Sequence, residues 1–205
     1  MKKAIALALI IFSIICIFTA CKKDDDSSEI PEDIKVIDFD TTRPTEKPTE
    51  VKPNKTYKIK VPSYLVESEA GGDVQKYGAT FGYDIEEEKD GTMTMKMDGM
   101  TYSLLLSTIG MKVMMALGEI VDSGDYPYVV NLGDYNEDFS YILMLVNADK
   151  YKKAEKQPPY DELAFVIGQL GLYYQSFTAD EENKCEVVIA GSKSGKVLYK
   201  EVFTD

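Results

Sequence analysis

The stretch that decides the fold is YDIEEEKDGTMTMKMDGMTYSLLLSTIGMKVMMALGEIV, which covers residues 83–121. Its first part places Asp90-Gly91 between two alternating runs, at residues 83–88 and 92–97. An Asp-Gly pair between alternating apolar and polar residues is the strongest short-range signal of a β-hairpin. The stretch therefore predicts two antiparallel strands that lead directly into a helix.

Residues 101–121 predict a long helix with apolar side chains on a wide arc. Two stripes make up this arc: Leu104, Leu105, Thr108, Met111 and Met115 in the first, and Leu106, Ile109, Val113, Leu117 and Ile120 in the second. A helix that is apolar over so wide an arc is expected at the centre of a core. Lys112 and Glu119 argue against a membrane span for the same residues.

The segment before the hairpin contains one strand and one ambiguous element. Residues 57–61 alternate and stop at a proline, which predicts a short strand. Residues 73–82 place Val74, Tyr77 and Phe81 on one helical face, so they predict a short helix. The same residues also alternate, and a strand is the open alternative.

The rest of the chain predicts two more pairs of strands around a second long helix. The first pair covers residues 128–132 and 139–146, joined by a loop at 133–138, and the second covers 185–190 and 197–203. The helix between them follows Pro158-Pro159 and has an apolar face of Leu163, Val166, Ile167, Leu170, Tyr174 and Phe177. Adjacent strands with short turns predict an α+β fold. We expect a mainly antiparallel sheet of hairpins packed against two long helices and one short helix.

Residues 1–20 have the composition of a secretory signal, with Lys2-Lys3 ahead of an uncharged apolar run. Phe18-Thr19-Ala20-Cys21 resembles the lipobox of bacterial lipoproteins. The resemblance implies cleavage before Cys21 and lipid (palmitate-type) attachment to its sulfur. The alternative is an uncleaved signal anchor, because the uncharged run lies at the short edge of what spans a bilayer. Both predict a protein tethered to the cell membrane, with its domain facing the extracytoplasmic side.

Residues 21–55 predict an acidic linker rather than a folded unit. Four prolines, Pro31, Pro44, Pro48 and Pro53, interrupt a segment with little apolar surface. Its one apolar patch is Ile34–Phe39, which is able to add an edge strand. A polyproline-like chain of this length would hold the following domain, residues 56–205, up to roughly 100 Å from the bilayer.

Composition excludes several classes of function. The 205 residues include no histidine, which removes Ser-His-Asp and Cys-His catalysis and imidazole metal sites. A net charge of −12 with a single arginine, Arg43, argues against nucleic acid as a partner. If Cys16 leaves with the signal and Cys21 carries lipid, Cys185 is the only thiol left, and no intramolecular disulfide can form. Cys185 lies in an alternating run, so we expect a buried small hydrophobe rather than a nucleophile.

Three motifs suggest chemistry, and each also has a structural explanation. Asp134-Tyr-Asn-Glu-Asp138 has the alternation of a calcium loop but lacks its glycine and its final glutamate, so a turn is expected. Gly191-Ser-Lys-Ser-Gly195 lacks the spacing of a phosphate loop and predicts a hairpin turn. Methionines at 93–97 and 111–115 could bind Cu(I), but packing is expected. We therefore predict no catalytic, cofactor-binding or metal-binding residue.

A second resemblance covers residues 56–203. It depends on Lys89-Asp-Gly-Thr-Met-Thr-Met95 and the Tyr102-Ser-Leu-Leu-Leu helix, together with Asp134-Tyr-Asn-Glu-Asp-Phe139 and Leu172-Tyr-Tyr-Gln175. These motifs resemble an uncharacterised family of secreted Gram-positive bacterial domains. The resemblance implies one domain in an extracytoplasmic setting and assigns no catalytic residues.

Together these features predict a lipoprotein whose domain is a non-enzymatic surface binding or scaffold module. Its partners would be the membrane, through the lipid on Cys21, and an unknown protein or glycan of the cell envelope. Tyr126, Tyr128 and Tyr135 lie in predicted loops or edges, where tyrosine supplies rigid contact area. The alternative is an accessory cell-envelope hydrolase that acts through paired carboxylates.

Overall fold

The computed structural model describes residues 50–61, 76, 78–154, 161–178 and 183–204. In chain order these contain β1 (Thr56–Val61), a helical turn at residues 78–81, β2 (Asp84–Glu87), β3 (Met93–Asp98), α1 (Gly99–Asp122), β4 (Val129–Tyr135), β5 (Tyr141–Val146), α2 (Ala148–Lys153), α3 (Glu162–Gln175), β6 (Lys184–Gly191) and β7 (Val197–Thr204). The predicted signal, the predicted lipid-attachment residue Cys21 and most of the predicted linker lie outside the described residues. The α+β class is confirmed, and the described part of the ambiguous segment 73–82 is helical.

The first sheet has three antiparallel strands in the order β1-β3-β2. The predicted hairpin is confirmed: the Glu88 amide donates to the Thr92 carbonyl at 2.8 Å, and Gly91 takes the positive φ of +82° that glycine permits. On the face toward α1, Ile59 lies opposite Met95 and Val61 lies opposite Met93. These strands alternate between buried and exposed residues because only one face of the sheet is covered.

The second sheet has four strands in the order β4-β5-β6-β7. The outer pairs are antiparallel, and the central pair β5–β6 is parallel. The predicted α+β fold of mainly antiparallel hairpins is confirmed, with the difference that the strands form two sheets and that the pair β5–β6 is parallel. The chain between β5 and β6 passes through α2 and α3, and a connection of that length allows the two strands to run in the same direction.

Helix α1 is the element that the two sheets share. Its N-terminal half contributes Tyr102, Leu105 and Ile109 to the core of the three-stranded sheet. Its C-terminal half contributes Val113 and Leu117 to a core formed with α3 and the four-stranded sheet. The helix is therefore central, as its sequence predicts, and it begins two residues earlier than expected because Asp98 caps its first turn.

Two features between the long helices differ from expectation. Strand β4 continues to Tyr135, so the predicted loop at 133–138 is too long, and two bulges accommodate this extension against β5. Helix α2 was not predicted. It has six residues and buries only Tyr151, so it carries no apolar periodicity from which it could have been recognised.

Strands β5 and β6 are buried on both faces. The face toward the helices carries Ile142 and Val187, which pack with α3. The opposite face carries four buried side chains, each no more than 2% exposed: Tyr141, Leu143, Val188 and Ala190. In the described part of the chain, one helix, α1, is long and apolar enough to cross a bilayer, a property that the core helix of a soluble domain shares.

Candidate binding surface

Four large apolar side chains of α1 face solvent and form one line along the helix. We call this line the methionine stripe: Met100 is 75% exposed, Leu104 49%, Met111 64% and Met115 55%. At 100° per residue the four side chains fall within an arc of about 60°, and they span about 22 Å along the helix axis. Exposed apolar side chains aligned on one helix face mark a site of interaction more often than a single scattered residue does.

The methionine stripe corrects a prediction. The sequence placed Leu104, Leu105, Met111 and Met115 together in the core, and of these only Leu105 is buried. The described sheets and α3 pack on one side of α1, so Leu104, Met111 and Met115 of the first predicted stripe face outward. Periodicity identifies the apolar arc of a helix, whereas the neighbouring elements decide how much of that arc they cover.

The charges near the methionine stripe are few, and those at its ends are acidic. Asp98 caps the N-terminus of α1, and the hydrogen bond from the Thr101 amide lowers the pKa of its carboxyl. Glu119 and Asp122 lie near the other end of the helix, and Lys112, between the two ends, is half-buried. A partner of this surface would meet apolar contact in the middle and negative charge at both ends.

The two sets of methionines are not brought together. Met93, Met95 and Met97 are buried in the core of the three-stranded sheet, while Met111 and Met115 face solvent. Packing is therefore confirmed for the strand methionines. A copper site shared by the two sets, the alternative considered from the sequence, would require their thioether groups to lie together.

The segment 134–140 is a structured turn between β4 and β5. The Asp134 carboxylate accepts from the Tyr135 amide, and the Asp138 carboxylate accepts from the Ser140 amide, each at 2.9 Å. Phe139 is buried at a φ of +54°, where a calcium loop would use glycine. Among the described residues, no group of three or more acidic or cysteine side chains is arranged to hold a metal ion.

The glycine-rich segment 191–195 is a hairpin turn, as predicted. The Gly191 amide donates to the Lys196 carbonyl at 2.9 Å, and the Gly195 amide donates to the Gly191 carbonyl at 2.9 Å. Gly195 adopts a positive φ of +66°. The backbone groups of this segment are thus engaged in closing β6 onto β7.

Cys185 lies on β6 and is fully buried. Burial, with a smaller contribution from the carboxylates of Asp138 and Glu186, raises the pKa of its thiol to about 12. A thiol that stays protonated at neutral pH is a poor nucleophile. The expectation of a buried small hydrophobe is confirmed.

A cluster of tyrosines surrounds Asp161, and the sequence did not identify it. The Tyr151 hydroxyl donates to Asp161 Oδ2 at 2.8 Å, and the Ala164 amide donates to Asp161 Oδ1 at 3.2 Å. Tyr128 packs edge-on against Tyr151, with ring centroids 5.4 Å apart. An aspartate directly before an apolar run is a sequence signal for a helix cap, but the tyrosines that enclose it come from distant segments.

The same cluster is expected to make the free energy of unfolding decrease at alkaline pH. Burial raises the pKa of Tyr126 from 10.0 to about 12, and burial also raises the pKa values of Tyr128 and Tyr151. The folded protein therefore retains protons that the unfolded chain loses above pH 10. We expect this contribution to the free energy of unfolding to be complete below pH 10 and to decrease as the pH rises toward about 12.

Urea unfolding at a series of pH values between 8 and 12 would measure this dependence. The control is Tyr128→Phe, which removes one of the shifted groups and should flatten the decrease above pH 10. An identical slope in the wild type and the variant would contradict the assignment to this cluster.

No family model, curated protein or solved structure matches the chain, so its function has to be inferred from its own surfaces and residues.

Proposed function

We propose that the protein is a membrane-anchored extracytoplasmic lipoprotein whose domain binds another envelope protein through the methionine stripe. The partner would present an amphipathic segment with apolar side chains at its centre and lysine or arginine at its ends. The observation that carries the proposal is the exposure of four aligned apolar side chains on α1, from 49% to 75%. Methionine suits such a surface because its flexible, polarisable side chain adapts to different partners.

The size of the methionine stripe favours a peptide segment as the partner. Four partly exposed side chains offer a few hundred Å², whereas a stable protein–protein interface buries about 800 Å² on each partner. An amphipathic segment laid along a helix can bind through a few anchors spaced at helical intervals. The acidic residues at both ends of α1, Asp98 and Asp122, would pair with its basic ends.

The charges of the protein argue against two other partners for the methionine stripe, a second copy of the chain and a lipid bilayer. In a two-fold pair of copies, the antiparallel stripes would bring Asp98 of one copy close to Glu119 of the other, and like charges repel. Helices that lie on a bilayer carry several lysines or arginines on their polar face. Helix α1 carries only Lys112, and the chain as a whole has a net charge of −12.

The non-enzymatic part of the proposal is supported by the role of Asp161. Among the described residues it is the one buried carboxylate, and its two oxygens accept hydrogen bonds that cap α3 and hold Tyr151. The paired-carboxylate hydrolase is the alternative. It requires a second acid about 5 to 9.5 Å away, with space for a glycan between the two.

Metabolic labelling tests the lipid anchor. We expect the wild-type protein to incorporate labelled palmitate and Cys21→Ala to incorporate none, because the thioester requires the Cys21 sulfur. Cys16→Ala is the matched control and should label like the wild type. Label retained in Cys21→Ala would contradict the lipoprotein assignment and favour the uncleaved anchor.

Photo-cross-linking in intact cells tests the binding surface. With p-benzoylphenylalanine at Met115, we expect a discrete intermolecular adduct. The same probe at Val202 should give none, although Val202 is 50% exposed and apolar. Adding Met111→Lys should reduce the Met115 adduct at least fivefold, because it places a charge against the apolar part of the partner segment, whereas Met111→Leu should retain it.

The identity of the cross-linked molecule distinguishes the proposed protein partner from lipid and from a second copy of the chain. The proposal requires the cross-linked peptide of the partner to be apolar with basic ends, and requires that peptide, made synthetically, to bind the purified protein. An adduct with lipid or with a second copy would contradict it. Equal adducts from Met115 and Val202 would indicate non-specific contact and would also contradict it.

A further inference from the structure

Among the described residues, the methionines that are exposed to solvent all lie on the methionine stripe. Met100 is 75% exposed, Met111 64% and Met115 55%. The methionines of the strands are no more than 4% exposed: Met93, Met95, Met97 and Met144. Met114 is partly buried against the core that α1 forms with α3 and the four-stranded sheet. Solutes in water therefore reach the thioether groups of the stripe, while the fold covers the thioether groups of the strands.

We propose that Met100, Met111 and Met115 are a site of reversible oxidation by peroxide, and that their oxidation releases a partner from the methionine stripe while the domain stays folded. The release rests on the proposed function, because it requires a partner at this surface. The selective oxidation does not, because it is a property of the folded chain alone.

The reaction transfers one oxygen atom to each sulfur. A lone pair of the thioether sulfur attacks one oxygen of hydrogen peroxide, so that an S–O bond forms and the O–O bond breaks. The departing hydroxide takes the proton of the transferred oxygen, and the products are methionine sulfoxide and water. The sulfur is oxidised and the peroxide is reduced. Methionine sulfoxide reductases reverse the change with electrons from a thiol.

The alignment of the three methionines makes their oxidation a change in one surface rather than in three separate places. Three of the four apolar side chains of the methionine stripe become polar, and Leu104 is left. Met111 and Met115 are about one turn apart, so their sulfoxide groups would lie about 6 Å from each other along the helix axis. A partner with apolar side chains at this position would cover sulfoxide oxygens without donating hydrogen bonds to them, which is unfavourable.

The fold is expected to survive this oxidation because the core has other contacts. The buried face of α1 carries Leu105, Ile109 and Leu117, whose side chains contain no sulfur. A sulfoxide at an exposed position of the helix adds a polar group that water solvates. We therefore expect the oxidised protein to unfold cooperatively in urea, as the unmodified protein does. A loss of cooperative unfolding at the stage when only the stripe is oxidised would overturn the inference.

Oxidation rates in the purified full-length protein test the site. With dilute hydrogen peroxide, peptide mass spectrometry should show sulfoxide forming at Met100, Met111 and Met115 at least about tenfold faster than at Met95 and Met144. In protein unfolded by urea the rates should become similar, because burial no longer protects the strands. Rates within about twofold of one another in the folded protein would overturn the inference.

Photo-cross-linking from Leu104 tests the release. Leu104 lies on the stripe, is 49% exposed and has no sulfur, so p-benzoylphenylalanine in its place leaves all three methionines present. In isolated membranes we expect hydrogen peroxide to reduce the adduct at least about fivefold, and methionine sulfoxide reductases with dithiothreitol to restore it. An unchanged adduct after the three methionines have been oxidised would overturn the inference.

Two matched variants show whether the oxidised methionines are those of the stripe. Met100→Leu/Met111→Leu/Met115→Leu keeps the surface apolar and removes its sulfur, so the adduct from position 104 should persist after peroxide. Met111→Gln/Met115→Gln places polar side chains of similar size on the stripe and should reduce the adduct without peroxide. An equal loss after peroxide in the leucine variant would show that the oxidation acts on another molecule, and would overturn the inference.

Failure of this inference and failure of the proposed function give different results. The absence of any adduct from position 104 before peroxide would contradict the proposed binding surface, and with it the release of a partner. An adduct that forms before peroxide and is insensitive to it would overturn the release by oxidation and leave the binding surface supported.

Discussion

Gly171→Ala is expected to destabilise the domain by about 3 kcal/mol, at the upper end of the cost of overpacking a core. Gly171 lies on the face of α3 that packs on β6. A Cβ atom there would overlap Cys185 Sγ and would lie 2.8 Å from the carbonyl oxygen of Phe139. A backbone carbonyl cannot move aside as the end of a flexible side chain can, so the helix would have to shift away from the sheet.

Two further variants make the prediction specific. Gly118→Ala adds the same methyl group to a long helix at a position with no atom within 4 Å, and we expect it to stabilise by about 0.5 to 1 kcal/mol. Cys185→Ala combined with Gly171→Ala should recover only part of the loss, because the Phe139 carbonyl remains. Urea unfolding of the four proteins measures these differences. A Gly171→Ala variant within 1 kcal/mol of the wild type would show that α3 does not pack this closely.

Gln175→Met is expected to cost about 3 kcal/mol, because one buried amide joins three segments of the chain. Its Nε2 donates to the Lys184 carbonyl at 2.8 Å and to the Asp138 carbonyl at 3.3 Å, and its Oε1 accepts from the Lys184 amide at 2.7 Å. Methionine has a similar volume but leaves these backbone groups unpaired. Each buried group without a partner costs about 1 to 3 kcal/mol.

Gln169→Met provides the matched control for this prediction. Gln169 lies on the same helix and is partly exposed, so its replacement should change the free energy of unfolding by less than about 0.5 kcal/mol. Hydrogen exchange adds a local measurement, since the Lys184 amide should exchange much faster in Gln175→Met. Unchanged protection of that amide would contradict the assigned hydrogen bond.

Local signals were sufficient for most of the elements. The Asp90-Gly91 turn and the alternation around it determine β2 and β3, and the apolar run that follows determines α1. The glycines of 191–195 likewise determine the turn between β6 and β7. Such elements depend on contacts within a few residues, and these are present in the sequence itself.

Elements that depend on distant contacts were missed or misassigned. The parallel pairing of β5 with β6 could not be predicted, because it depends on where the end of α3 places the start of β6 relative to β5. The tyrosines around Asp161 come from the turn before β4 and from α2, and no spacing in the sequence connects them. The bridge made by Gln175 could not be predicted either, because a glutamine on an apolar helix has no local signal for its partners.

The sequence by itself determined the α+β class, the two long helices and the hairpins, and the absence of histidine chemistry, because composition and short-range periodicity are properties of the chain alone. Only the tertiary structure decided which apolar residues remain uncovered. Met93 and Met111 are the same residue type, and Met111 lies in the more apolar stretch, yet Met93 is buried and Met111 faces solvent. The difference arises because hydrophobic burial depends on which other elements occupy the space beside a residue, and that arrangement exists only in the folded chain.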